Sequence, residues 1–156
     1  MTRTAAREIA IQLCFAANAS GVEPDAMIEE FFDQEHYASL GEEQELFQEL
    51  PDEKQMAYIR RLIGLTMEHR EELDSHIQRY ARGWKPERIS RTALTILRCA
   101  LCEILYMEDI PNAAAINEAV EMDKGYDEPE TVAFVNGVLG GFMRGEFGVE
   151  ETAEQA

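Results

Sequence analysis

Four residues near the start of the chain, Arg3, Arg7, Ile11 and Phe15, recur at strict four-residue spacing. At about 100° per residue this spacing keeps them in one line along a helix. Two cations, an aliphatic and an aromatic side chain in line have the chemistry to cradle phosphates and stack a base, which is how single-stranded RNA is commonly held. The same line also fits a helix buried on two sides. Ala6, Ile9, Leu13 and Ala16 already form a core stripe on roughly the other side, and Ile11 and Phe15 would form a second. Periodicity alone favours burial.

The other groups with reactive or ligating chemistry are fewer. Cys99 and Cys102 form a C-x-x-C, but they fall in mid-helix with no strand before them. A redox motif of this kind starts a helix after a strand, where the helix dipole lowers the thiol pKa. A zinc site would need two further ligands at suitable spacing, so small buried packing residues are the better reading. His69 and His76 lie seven apart, two turns of one helix and beyond the usual i, i+4 metal pair, and read as surface or boundary residues. His36 stands alone. There is no Gly-rich phosphate loop after a strand, no Ser or Cys nucleophile with a histidine partner and no metal set, so the reading names no catalytic residue, metal or cofactor.

The elements that must position these residues are helices. With 156 residues and 46% hydrophobic content, the chain suits one domain with an ordinary core. No run approaches the roughly 18 apolar residues that span a bilayer, and Arg3, Arg7 and Glu8 interrupt any signal-like start. Three cysteines at no disulfide spacing fit a reducing cytoplasm. The net charge of −17 argues against avid nonspecific binding to nucleic acid. That charge is uneven: residues 21–53 hold twelve Asp or Glu and no Lys or Arg, whereas 54–98 hold ten of the fourteen cations.

The spacing predicts a first helix over about 4–18, stopped by Ser20 and Gly21, and a second from Pro24 that frays near Gln34. Residues 35–51 read as a solvated acidic connector with a short helical piece near 43–50. Asp52 caps a third helix, which breaks near His69 and Arg70 and continues as a fourth to Gly83. After the connector WKPERI, Ser90 opens the most strongly patterned helix, with Ala93, Ile96, Leu97, Ala100, Leu101, Ile104 and Leu105 inward. Two further helices follow, over about 112–124 and 129–144. Gly137, Gly140 and Gly141 in the last imply close backbone packing or a partner. The expected fold is an all-α bundle of about seven helices in two subdomains, 1–83 and 84–148, with an acidic tail over 149–156 expected to be disordered.

In this order the motifs resemble the NusB family of bacterial transcription antitermination factors. The family shows an AREIA-like start followed by an aromatic, then W..ERI with ILR.A..E..Y..DIP, then INEAVE and FVNGVL. Here these are Ala6 to Ala10 with Phe15, Trp84 to Pro111, Ile116 to Glu121, and Phe134 to Leu139. The resemblance covers nearly the whole chain outside the acidic connector and the tail. It implies a non-enzymatic helical protein that pairs with NusE, a small-subunit ribosomal protein. The pair binds boxA RNA in the RNA polymerase antitermination complex and supports read-through of ribosomal RNA operons.

By similarity, RNA contacts fall on Arg3, Arg7 and Phe15 of the first helix and on Tyr126 and Phe134 around the last turn. NusE contacts fall on Glu87 and Arg88. The resemblance thus reverses the preference for burial of the Arg3 line. The chain departs from its relatives in keeping only two basic residues at the start, in having Phe15 where tyrosine is usual, and in Ala93 and Cys102. These departures keep a second reading open, a protein-interaction module of the same fold with weak or no RNA binding. A methyltransferase reading lacks the strand-helix alternation and cofactor loop it needs. Self-association is left open.

Overall fold

The computed structural model describes residues 1–149, so the expected disordered tail lies, apart from Val149, outside the described residues. Among these residues the chain forms eight α-helices and no strand. It divides into two compact units, one over Met1–Gly64 and one that starts at Leu65. The WKPERI connector lies inside the second unit.

In the first unit, α1 (Arg3–Ser20) begins at Thr2, whose hydroxyl accepts from the Ala5 N–H at 3.0 Å. It ends at Gly21, where φ is +72° and the backbone N–H returns to the Ala17 carbonyl, a left-handed cap that favours glycine. Helix α2 (Pro24–Phe31) starts with proline in its first turn and Glu23 as cap.

The next element differs from the expectation. Residues Gln34–Glu43 form a complete helix, α3, followed by a 3₁₀ turn over Glu45–Phe47. Asp33 nucleates it by accepting from the His36 N–H at 3.2 Å. Aromatic packing holds it: Tyr37 and Phe47 are buried, with ring centroids 5.8 and 5.5 Å from Phe31. The acidic residues occupy only its outer side, so the stretch is a wet face on a packed element. This helix is the one that pattern reading did not count.

Helix α4 (Glu53–Glu68) opens with a reciprocal cap in which the Asp52 carboxylate accepts from the Gln55 N–H and the Gln55 side chain accepts from the Asp52 N–H, at 2.8 and 2.9 Å. Ile59, Leu62 and Ile63 are buried and Arg60 and Arg61 exposed, as their spacing predicts. A break at His69 separates α4 from α5 (Arg70–Tyr80).

In the second unit, α6 (Arg91–Tyr106) buries eleven of its residues and packs against α5, α7 (Asn112–Asp123) and α8 (Pro129–Phe142). Ser90 caps it by accepting from the Ala93 N–H at 3.0 Å. Arg98 leaves α6 to meet Asp74 of α5 with two parallel hydrogen bonds of 2.5 and 2.9 Å, a planar fork that fixes the register of the two helices. Cys99 and Cys102 are fully buried on the same helix. Past α8 the chain tightens into a π-turn over Met143–Phe147.

Candidate nucleic-acid interface

The line on α1 divides by burial. Arg3 is exposed and Phe15 is 37% exposed, whereas Arg7 is 2% and Ile11 5% exposed. Arg7 lies with its guanidinium 5.7 Å from the ring centroid of Tyr58 on α4, within cation–π range. The buried reading therefore holds for the middle of the line. The ends carry a cation and an aromatic into solvent. The contact with Tyr58 of α4 falls at the middle of the line, on Arg7.

In the second unit the expected residues gather around one turn and one connector. Tyr126 is 45% exposed in the turn between α7 and α8, its N–H bonded to the Asp123 carbonyl at 3.0 Å. Glu87 and Arg88 are exposed on the 3₁₀ turn Pro86–Arg88, just before α6. Ser90 joins the two places. Its side chain caps α6 and also donates to Asp127 Oδ2 at 3.1 Å, tying the start of α6 to the turn that carries Tyr126.

Phe134 is not at the surface. It is 6% exposed, and the ring of Trp84 covers it with centroids 4.5 Å apart at 46°. Trp84, half-buried, is the aromatic that solvent meets here. By sequence it belongs only to the connector WKPERI and to a family motif. Its position fifty residues before Phe134 carries no periodic signal that would pair them.

Beside Trp84 runs a groove of about 700 Å³ along α8, lined also by Arg82, Gly137 and Arg144. Gly137 has open space where a Cβ would stand, while Gly141 and Gly145 are filled by Tyr80, whose ring atoms lie 3.4 and 2.7 Å from their would-be Cβ atoms. The helix glycines thus divide between close packing and an open wall. A second groove, of about 710 Å³, lies on the α7 side of α8, with Asn117, Lys124, Asp127 and Asn136 in its lining.

Under this surface sits a buried acid. Asp123 is fully buried, and neither carboxyl oxygen has a hydrogen-bond donor from the protein. Burial, and then the neighbouring Asp127 carboxylate, push the Asp123 carboxyl up to about 8. Its carboxyl is therefore held in the neutral form to much higher pH than an exposed aspartate.

An all-helical fold with exposed cations, exposed aromatics and shallow grooves has the outward features of a binding domain. A family model described as the NusB family matches residues 4–144, and the chain belongs to that family. It is 37% identical over 145 residues to the transcription antitermination protein NusB of Symbiobacterium thermophilum, across 93% of this chain and 91% of the relative. The NusB of Thermoanaerobacter sp. is 35% identical over 151 residues, 97% of this chain and 96% of the relative.

Among solved structures, T. maritima NusB superposes with a TM-score of 0.73 at 25% identity, over 99% of this chain and 96% of that one. A crystal structure of antitermination factors NusB and NusE in complex with dsRNA gives a TM-score of 0.72 over 92% and 96%. At 20% identity that second likeness is one of fold.

Proposed function

We propose that this chain is a transcription antitermination factor that binds boxA-type RNA together with NusE, within the RNA polymerase antitermination complex, to promote read-through in ribosomal RNA transcription. The observation that carries this reading is family membership over residues 4–144, with 37% identity to an antitermination protein across 93% of the chain. The protein works in the cytoplasm, by binding and not by catalysis.

On α1, Arg3 supplies the phosphate contact and Phe15 the stacking face, both being exposed. Arg7 acts from below, holding α1 against Tyr58. In the second unit Tyr126 offers its exposed ring to RNA, and Phe134 contributes by supporting Trp84. Glu87 and Arg88 face NusE, on a connector braced by Ser90.

Native mass spectrometry of the protein with NusE and a short boxA RNA tests this, and it reports self-association in the same spectrum. The expected result is a ternary complex, with Phe15→Ala losing RNA and retaining NusE. Equal affinity for boxA and a scrambled RNA in the presence of NusE would sink the proposal. The net charge of −17 and the burial of Arg7 favour one second reading, a protein-interaction module of the same fold. For that module, Arg3→Ala and Phe15→Ala leave every assembly unchanged.

A further inference from the structure

The acidic stretch is absorbed by none of the RNA or NusE contacts, yet the fold gives it a preformed feature. Between α3 and the turn that follows it lies a groove of about 620 Å³, with Phe32, Tyr37, Ala38, Phe47 and Leu50 in its lining and Glu42 at its edge. Tyr37 and Phe47 form a buried floor, and Leu50 is 61% exposed. The groove is held open by construction. Tyr37 donates its hydroxyl to the Glu49 carbonyl at 2.6 Å, and Gly41 lets the Phe47 carbonyl oxygen come within 2.7 Å of where a Cβ would stand.

Charge decides what can occupy it. Glu42, Glu43 and Glu45 are exposed around the groove, Glu49 is paired with the Met1 amino group at 2.7 Å, and residues 21–53 contain twelve acids and no Lys or Arg. RNA is repelled by such a surface. A second copy would bring the same acidic stretch and a net charge of −17. The segment VEETAEQA at the end of the chain is acidic as well. What remains complementary is a cationic chain with an apolar side chain to cover the exposed Leu50 and the aromatic floor.

We infer that the groove between α3 and residues 45–50 is a docking site for a Lys- or Arg-rich segment of a protein partner, anchored by one or two aliphatic side chains. The inference goes beyond the proposed RNA role and is tested without RNA or NusE, so its failure leaves that role standing.

The probe is a twelve-residue synthetic peptide alternating Lys and Leu, titrated into the isotope-labelled protein and followed by NMR. Two controls replace its Leu by Ser or its Lys by Glu. The expected result is saturable shifts centred on residues 32–50 for the Lys/Leu peptide alone. Leu50→Ser removes an exposed side chain and leaves the fold intact; with it the dissociation constant should rise about tenfold, as loss of one buried aliphatic contact predicts. Ala38→Trp, which fills the groove from an exposed position, should weaken binding at least as much. Equal binding of the Lys/Ser peptide, shifts centred elsewhere, or affinity unchanged in both variants would overturn the inference. So would self-association of the free protein that maps to the groove.

Discussion

Asp123 and Asp127 lie four residues apart, a spacing that in sequence looks like two solvated acids at a helix end. The fold buries the first against the second, which makes the pair sensitive to pH. The folded Asp123 carboxyl titrates at about 8, raised from 3.8, so the folded state holds a proton that the unfolded chain releases. Stability from this group is complete below the unfolded value and is lost as pH rises through the folded one. Asp123→Asn keeps the shape of the side chain but cannot ionise. Thermal melts of the two proteins should therefore converge near pH 4 and separate toward pH 9. There the variant should be the more stable by about 1–3 kcal/mol, the scale of an unsatisfied buried polar group. Parallel curves across that range would show that Asp123 does not hold the proton. Burial of Phe134 was equally hard to read, because it is covered by one distant aromatic, Trp84, and side-chain periodicity carries no information about such partners; burial of Arg7 was what periodicity favoured. The exposure of Phe15 and Tyr126 followed from the family resemblance and not from periodicity, which favoured burial of the Phe15 line.

Helices with strong local signals were legible, and the one without them was not. Helices α1, α4 and α6 each join a cap residue to a run of buried positions at helical spacing, and they were read to within a few residues. Helix α3 has its own cap in Asp33, but it buries only Tyr37, and the Phe47 that packs against it stands ten residues on, in the following turn. With Glu42, Glu43 and Glu45 between them and no Lys or Arg in residues 21–53, the stretch reads as a solvated connector. The glycines of α8 and its π-turn yield a prediction at this scale. Gly137 faces open space, so Gly137→Ala should stabilise by about 0.5–1 kcal/mol through helix propensity. Gly145 faces the Tyr80 ring, whose hydroxyl donates to Glu146, and an added methyl group must displace that ring or the turn. Gly145→Ala should destabilise by about 1–3 kcal/mol, as overpacking does. Urea unfolding of the two variants reads both signs, and a stabilising Gly145→Ala would mean that Tyr80 does not occupy this cradle.

At the scale of the molecule, the order of motifs carried the family assignment, because AREIA, ILR, INEAVE and FVNGVL each fall on a helix with a buried face. Core positions of this kind report the fold more surely than they report affinity. Affinity rests on charge, and the chain carries −17 with few cations on the surfaces proposed for RNA. If only two or three phosphates are neutralised, boxA binding by the chain without NusE should be weak. The slope of log K against log salt should then be about −1.4 to −2.1, the value for that many contacts on a single strand. Arg3→Ala removes one exposed cation of α1 and should make the slope shallower by about 0.7 while leaving the melting temperature unchanged. Fluorescence anisotropy across a salt series measures both quantities. A wild-type slope steeper than about −4 would require cations beyond those assigned, and Arg82 and Arg144 beside Trp84 would be the next to substitute. An unchanged slope in Arg3→Ala would remove α1 from the RNA surface and leave the turn around Tyr126 to carry it.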